Sequence, residues 1–314
     1  MWIRKPSFYD DFHCIAAQCP DSCCKEWDVA VDGEKAALYR SLPGELGDRL
    51  RLFLQEDEGE TYLTLENGRC PMWRSDGLCR IQAELGEQAL CKTCREFPRL
   101  THDYGGFVEF GLELSCPEAA RILLSRESWD WVCDGEKPAS DDREEAMGLT
   151  EADNPIASLL YYGLYVQELL DGGAETGFDS ESIPDFPGNG DVEVFLDVFR
   201  RLEILTPAWE NRLKHPCPRR LQKEDRAMLR YFISRYWLQA ISDFDLIARV
   251  KFLLSCVLLV CVLGGDALGT AQLMSKEIEN DAQNVDALLD GAYTLPGLTD
   301  ANLLALSEKV KNGS

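Results

Sequence analysis

Basic residues are scarce in this chain. Its 314 residues include 32 Lys and Arg against 55 Asp and Glu, which gives a formal net charge of −23. A protein of that charge repels phosphate backbones, so nucleic acid is excluded as the expected partner. The acidic balance instead suits a partner with a basic surface.

The chain also lacks a segment typical of export or of membrane insertion. Its start, MWIRKPSFYDDFHC, has no apolar core of a signal peptide. Its most apolar run, Phe252 to Leu263, has twelve residues, too few to cross a bilayer as a helix. We therefore expect a cytoplasmic protein without a transmembrane segment, in which this run is a buried helix. Peripheral contact with a membrane surface is the alternative.

Several common cofactor motifs are missing. No G-x-G-x-x-G follows a predicted strand, so no Rossmann-type cofactor site can be argued. The CxxxCxxC loop of radical enzymes is absent, because Cys19-x3-Cys23 is followed directly by Cys24. The cysteine-rich region contains only His13 and His102 as histidines, and only one CxxC, so an ordinary zinc finger is disfavoured.

Cysteine, in contrast, is abundant. The chain has 13 cysteines, an odd number that argues against a complete disulfide framework. In a reducing compartment, dense cysteines bind metal more often than they form disulfides. Four are scattered and are interpreted as ordinary, mostly buried residues: Cys133, Cys217, Cys256 and Cys261.

The other nine cysteines form two groups. The first cysteine group is Cys14-x4-Cys19-x3-Cys23-Cys24, and the second is Cys70-x8-Cys79-x11-Cys91-x2-Cys94, followed by Cys116. Thiolates suit zinc and iron–sulfur clusters, and either centre needs about four ligands at one point. The spacing therefore predicts a metal or iron–sulfur centre within the first 116 residues. The alternative is that several of these cysteines are simply small buried hydrophobes.

The distribution of cysteine, acid and apolar periodicity predicts three parts. We expect a cysteine-cluster domain at 1–133, an acidic linker with one helix at 134–190, and a helical domain at 191–314. The predicted fold class is mainly α, with a small cysteine-rich metal-binding N-terminal module that has short strands and an all-helical C-terminal body. Helical spacing in that body predicts helices at about 192–205, 222–241, 244–263, 266–280 and 300–311.

Three stretches carry a resemblance to a known family. They are FHCIAAQCPDSCCKEWDVAVD at 12–32, CPMWRSDGLCRIQAELGEQALCKTCREFPR at 70–99 and ELSCPEAARILL at 113–124. Together they resemble flagellin lysine-N-methylases, which are related to the YkgJ-type zinc- or iron-chelating cysteine-cluster proteins. The motif resemblance covers about residues 8–125. The first loop departs from the family pattern because Ala16 replaces a glycine and Pro20 replaces a glutamate.

The resemblance implies a [4Fe–4S] cluster and S-adenosylmethionine-dependent methylation of lysine side chains on flagellin. Bound Zn²⁺ is the alternative centre, and a non-enzymatic zinc- or iron-chelating or iron–sulfur scaffold protein is the alternative function. Catalytic and S-adenosylmethionine-binding residues are not assigned. Spacing and family pattern together predict a converging ligand set, with Cys14, Cys91 and Cys116 as further candidates beside its main members: Cys19, Cys23, Cys24, Cys70, Cys79 and Cys94. Acids near the first group, Asp21, Asp28 and Asp32, together with the linker at 134–153, are predicted to line a groove for the substrate lysine.

Overall fold

Helices dominate the fold. The computed structural model of the chain describes residues 2–57, 59–135, 142–173, 177–179, 183 and 190–313. The mainly α class is thereby confirmed. The α-helices of the described ranges are α1 (Gly33–Ser41), α2 (Gly44–Phe53), α3 (Arg80–Leu85), α4 (Lys92–Glu96), α5 (Pro117–Leu124), α6 (Asp142–Leu149), α7 (Pro155–Leu170), α8 (Val192–Arg200), α9 (Pro207–Lys214), α10 (Lys223–Tyr236), α11 (Leu246–Leu263), α12 (Ala267–Met274), α13 (Ala282–Gly291) and α14 (Asp300–Asn312).

Two small sheets accompany the helices. Their strands are β1 (Trp2–Pro6), β2 (Val29–Ala30), β3 (Leu54–Asp57), β4 (Glu60–Leu63), β5 (Arg99–Asp103), β6 (Phe107–Leu112) and β7 (Trp131–Asp134). The larger sheet has the order β5-β6-β1-β7, in which β1 is parallel to β6 and antiparallel to β7. The smaller sheet has the order β2-β4-β3 and is antiparallel.

Helix α11 is the centre of the main core. All 18 of its residues are buried, which confirms the prediction for the run from Phe252 to Leu263. Among the described helices it is the one long and apolar enough to cross a membrane, but here it packs inside protein. Helix α7 crosses it closely at Gly163, where an added Cβ would lie 2.8 Å from Val250.

Residues 190–313, which the structure describes without a gap, form helices and connecting loops only. Side chains cap many of these helices: Asp191 starts α8, Thr206 starts α9, Asp245 starts α11 and Thr299 starts α14. Each oxygen accepts a first-turn N–H that has no partner within the helix. Two helices of this region, α9 and α13, are absent from the prediction because their apolar positions are few.

The segment predicted as a linker contains a second helix. Helix α6 precedes α7, and its Ala146 and Arg143 are buried. Arg143 reaches Glu109 on β6, so an acidic, turn-rich stretch becomes helical through a tertiary contact. The part of this segment at 136–141, and most of 174–189, lie outside the described residues. The domain boundaries themselves stay a prediction.

A second, smaller core lies beneath the cysteines. It joins buried side chains of β2, α1, α2, β4 and α3, including Val29, Tyr39, Leu50 and Ile81. Cys70 and Cys91 are part of it, while Cys24 and Cys79 pack against its edge. The cysteine loops therefore rest on a hydrophobic layer of their own.

Candidate metal centre

The first cysteine group lies in a loop with unusual backbone geometry. Ala16 begins a short 3₁₀ turn, Ala16–Gln18, and has a φ of +49°, in the left-handed region that favours glycine. This is the position at which the resembling family usually has glycine. Cys19 is extended, as expected for a residue that precedes a proline, Pro20. The loop therefore keeps a turn suited to glycine despite the substitution.

Three cysteines outside this loop occupy equivalent positions at the starts of helices. Cys79 is the N-cap residue of α3, Cys91 that of α4 and Cys116 that of α5. None of these thiols makes a cap hydrogen bond, but backbone amides of the first turn oppose the effect of burial on each thiol pKa. Such a position favours the thiolate form that a metal requires.

Backbone contacts bring the two cysteine groups together. The Cys70 amide donates to the Cys24 carbonyl at 2.7 Å, and the Glu26 amide donates to Gly68 at 3.1 Å. The Cys23 thiol interacts electrostatically with both Cys70 and Cys79. Thiols that are more than 40 residues apart in the chain therefore lie in one neighbourhood.

Two cysteine pairs interact through their thiols. The interaction between Cys91 and Cys94 lowers the pKa of Cys91 to about 7 and raises that of Cys94 well above its usual value. The Cys23 thiol interacts in the same way with Cys24, and this interaction, with burial, raises the pKa of Cys23. Cys94 also interacts with Cys24 and Cys70, which links the pairs.

Several of the other thiols hold their protons more tightly than a free cysteine does. Burial raises the pKa of Cys70 to about 11 and that of Cys116 to about 12. Burial likewise raises the pKa of Cys19, which interacts with Cys14 and Cys23. A coordinated metal removes such protons, so binding at these thiols would release protons and depend on pH.

The donor chemistry fits an iron–sulfur cluster or Zn²⁺, since sulfur ligands from several loops face one neighbourhood. Within the described ranges, however, no three Cys, His, Asp or Glu side chains are already gathered as a metal site. All thirteen cysteines are free thiols. The ligand set, and the metal-binding character of the N-terminal module, therefore stay predictions.

The scattered cysteines have different surroundings. Cys256 and Cys261 are buried in α11, as expected for small core residues. Cys217 is exposed and Cys133, on β7, is partly buried. None of these four residues is among the main electrostatic partners of seven of the clustered thiols, which are Cys19, Cys23, Cys70, Cys79, Cys91, Cys94 and Cys116.

The acids predicted to line a lysine groove near the first group have other partners. Asp32 caps α1 and also accepts the Lys92 amide at 2.8 Å, while Asp28 accepts the Leu65 amide at 3.0 Å. Asp21 pairs with lysines of the chain itself. Burial raises its pKa, but the ion pairs with Lys25 and Lys276 outweigh this and lower it to about 2. These carboxylates thus bind the protein's own groups, and a groove lined by them stays a prediction.

A different acidic groove lies at the far end of α5. It has a volume of about 480 Å³. Two tryptophans line it, Trp129 and Trp131, whose rings are 6.4 Å apart and nearly perpendicular. Four acids and one arginine also line it: Glu127, Asp130, Glu144, Glu151 and Arg230. Glu144 and Glu151 belong to the segment predicted to line a groove, whereas the two tryptophans carry no spacing signal that would have identified them.

The fold and this region define a mainly helical protein with a thiol-rich N-terminal face. The "Flagellar biosynthetic protein FliU" of Salmonella muenchen is 34% identical over 133 residues, which are 39% of this chain and 77% of that protein. The "Lysine-N-methylase" proteins of Salmonella choleraesuis and Salmonella typhimurium are each 33% identical over 130 residues, 39% of this chain but 32% of each relative. The match thus spans about a third of the length of the two lysine-N-methylases.

These relatives settle the family. The chain belongs to the flagellin lysine-N-methylase-like family, as the cysteine motifs predict. No family model matches the chain, and no solved structure does either.

Proposed function

We propose that this protein methylates lysine side chains of flagellin with S-adenosylmethionine as methyl donor, and that a cysteine-held iron–sulfur centre is required. The observation that carries the proposal is the similarity to FliU and to two lysine-N-methylases. The activity, the substrate and the cofactors are each part of the proposal.

The thiol geometry supports a single centre rather than two remote ones. The Cys70 amide is bonded to the Cys24 carbonyl, and Cys94 interacts with Cys24 and Cys70. The residues that would hold the centre come from both groups: Cys19, Cys23, Cys24, Cys70, Cys79 and Cys94. When bound, an iron–sulfur cluster would supply a redox-active or cofactor-binding group, and Zn²⁺ would supply a structural one or a Lewis acid.

The groove with Trp129 and Trp131 suits a lysine-bearing protein segment. Glu127 and Asp130 supply negative charge that attracts ammonium groups. The indole of Trp129 can bind a cation, whereas the Trp131 ring already stacks with Arg4 and Arg143. Helix α5 joins this groove to the cysteines, since it begins after Cys116 and ends at Leu124. Eight helical residues span about 12 Å, a distance that four residues of an extended peptide cover. A flagellin segment bound in the groove would therefore bring a neighbouring lysine close to the thiols.

The test is methyl transfer to purified flagellin under anaerobic conditions, with labelled methyl donor and the iron- and sulfide-loaded chain. We expect transfer by the native chain and loss of transfer in Cys23→Ser and Cys94→Ser. Cys217→Ser is the matched control, because Cys217 is exposed but lies outside both groups. If both serine variants of the groups remain fully active, the thiol centre is not required.

The same experiment distinguishes a methylating enzyme from a non-enzymatic metal scaffold. A loaded chain that retains iron but transfers no methyl group to flagellin or to any other lysine-bearing protein would be a non-enzymatic iron–sulfur or zinc scaffold. Trp129→Ala tests the groove: it should weaken flagellin binding without changing the iron content, because Trp129 touches no cysteine motif.

A further inference from the structure

A buried lysine of the C-terminal body reaches into the first cysteine group. Lys276 lies in the π-helical turn Ser275–Glu279, which continues α12 and is buried at all five positions. Only 3% of Lys276 is exposed. A buried ammonium must be paired, because an uncompensated charge in the interior is strongly unfavourable.

All the charged partners of Lys276 lie beside the first cysteine group. Its Nζ is 3.0 Å from Asp21 Oδ2 and 2.6 Å from Glu26 Oε2, and it lies 5.6 Å from the centre of the Trp27 ring. Asp21 stands between Cys19 and Cys23 in the chain, and Glu26 follows Cys24 by two residues. The Lys276 ammonium therefore binds one residue that precedes the Cys23-Cys24 pair in the chain and one residue that follows it.

A second side chain from the same stretch adds a contact to Cys116. The Gln272 amide donates to Asp21 Oδ2 at 3.1 Å and to the Ser115 carbonyl at 2.7 Å. Ser115 is the residue directly before Cys116. Gln272 and Lys276 thus connect the first cysteine group and the start of α5 to one short piece of helix.

The π-helical turn itself is fixed on its other faces. Glu277 accepts the Leu205 amide at 2.8 Å and also bonds the Thr206 hydroxyl. Glu279 accepts the hydroxyls of Tyr231 at 3.0 Å and Tyr236 at 2.9 Å. Short π-helical turns are rare and often mark functional positions. Here Lys276, Glu277 and Glu279 of the turn each bind a different part of the fold. The backbone at Lys276 therefore has little freedom to shift.

We propose that Lys276 is a positioning residue, which holds the first cysteine group at the distance from the second group that a shared metal centre requires. The inference rests on the proposed cysteine-held centre. It assigns a role to a residue outside the region of 8–125 that carries the family motifs.

The test compares three full-length variants. Lys276→Met removes the charge but keeps the length, and Lys276→Arg restores a cation. Lys251→Met is the matched control, because Lys251 is also buried, with 7% exposed, but pairs with Asp300 at 2.6 Å and with the Ala292 carbonyl inside the helical body.

The first measurement is Zn²⁺ affinity of the metal-free chain in competition with a chromophoric chelator. Loss of a residue that orients metal ligands typically weakens binding about 10- to 100-fold. We expect Lys276→Met to fall in that range, Lys276→Arg to recover most of the affinity and Lys251→Met to match the native chain. Native affinity in Lys276→Met would overturn the proposal.

The second measurement needs no metal. A short bifunctional thiol reagent should cross-link Cys23 to Cys70 or Cys79 in the native chain, and the yield should fall several-fold in Lys276→Met. The local Cys91–Cys94 cross-link is the internal control and should not change. If the native chain binds no metal, the proposed centre fails, while these yields still decide the role of Lys276: unchanged yields refute it. Should Lys276→Met fail to fold, Gln272→Leu is measured in the same way, with the same results expected.

Discussion

One buried carboxylate offers the sharpest test of how the N-terminal sheet is joined to the helices. Glu109 on β6 is 3% exposed and accepts both Nη groups of Arg143 at 2.8 Å. It also lies 3.8 Å from Arg4 Nε on the neighbouring strand. Both arginines are 1% exposed and stack on Trp131, at 4.2 Å and 5.1 Å. Glu109 thus binds two buried guanidinium groups, and Glu144 lies 3.6 Å from Arg4 Nη2 as a further carboxylate.

Removing that carboxylate should cost more than removing either partner. We expect Glu109→Ala to lower the free energy of unfolding by about 3–5 kcal/mol, the usual effect of removing one partner of a buried ion pair. Arg143→Met should cost less, about 1–3 kcal/mol, because Glu109 then still faces Arg4. Glu210→Ala, which breaks an exposed pair with Lys214, should cost under about 1 kcal/mol.

The assay is urea denaturation followed by tryptophan fluorescence, and the comparison is valid where the dependence on urea concentration is the same for each variant. The order of the three effects is the result that matters. If Arg143→Met destabilises as much as Glu109→Ala, or if Glu109→Ala resembles the surface control, Glu109 does not stabilise the fold through both guanidinium groups.

Three further outcomes can be checked. Burial, with smaller effects of nearby arginines, lowers the pKa of His102 from 6.5 to about 4, so the folded state resists protonation that the unfolded state accepts. Stability should be complete above pH 6.5 and fall by up to about 3 kcal/mol toward pH 4; equal acid sensitivity of His102→Gln in urea titrations would contradict this. Added Zn²⁺ should slow alkylation of Cys23, measured by mass spectrometry, but leave Cys217 unaffected; equal protection of both would argue against the thiol centre. Gly163→Ala should destabilise by about 1–3 kcal/mol through the contact with Val250, and Val250→Ala should restore part of the loss in urea midpoints.

Local patterns were sufficient for much of the fold. The apolar run from Phe252 identifies α11 because a helix that is apolar all round must be buried. Helix α3 ends at Gly86, whose φ of +86° lies in the region that favours glycine. In these cases the determining residues are neighbours in the chain, so short-range spacing contains the information.

Elements that depend on distant partners could not be predicted in this way. Strand β1 pairs with β6 and β7, both more than 100 residues later, and its residues show no clean alternation of apolar and polar. Helix α6 has the composition of a linker, with several acids in its first turn, and its burial depends on Arg143 meeting Glu109. Tertiary contacts override local preference in both cases.

The residues of the candidate site also divide into those that the sequence identifies and those that only the folded chain shows. Its thiols were recognisable because metal ligation requires cysteines at short spacings within a loop, and the family pattern repeats those spacings. Lys276 was not recognisable from the sequence. Its partner Asp21 is 255 positions away, and one lysine among buried helical residues has no distinguishing pattern. The partners of the acids beside the first group are likewise visible only in the folded chain.

Helix α5 explains why the cysteine motifs and the helical body act together. Its first neighbour is Cys116, while Ile122, Leu123 and Leu124 are buried in the main core against α10 and α12. The position of that thiol is therefore set by packing within the body, just as Lys276 fixes the loop of Cys23 from the same side. A fragment that kept the nine cysteines of the first 116 residues but lost the body would keep the candidate ligands and lose these contacts. We therefore expect the arrangement of these thiols to depend on the body, although the recognisable motifs occupy only the first part of the chain.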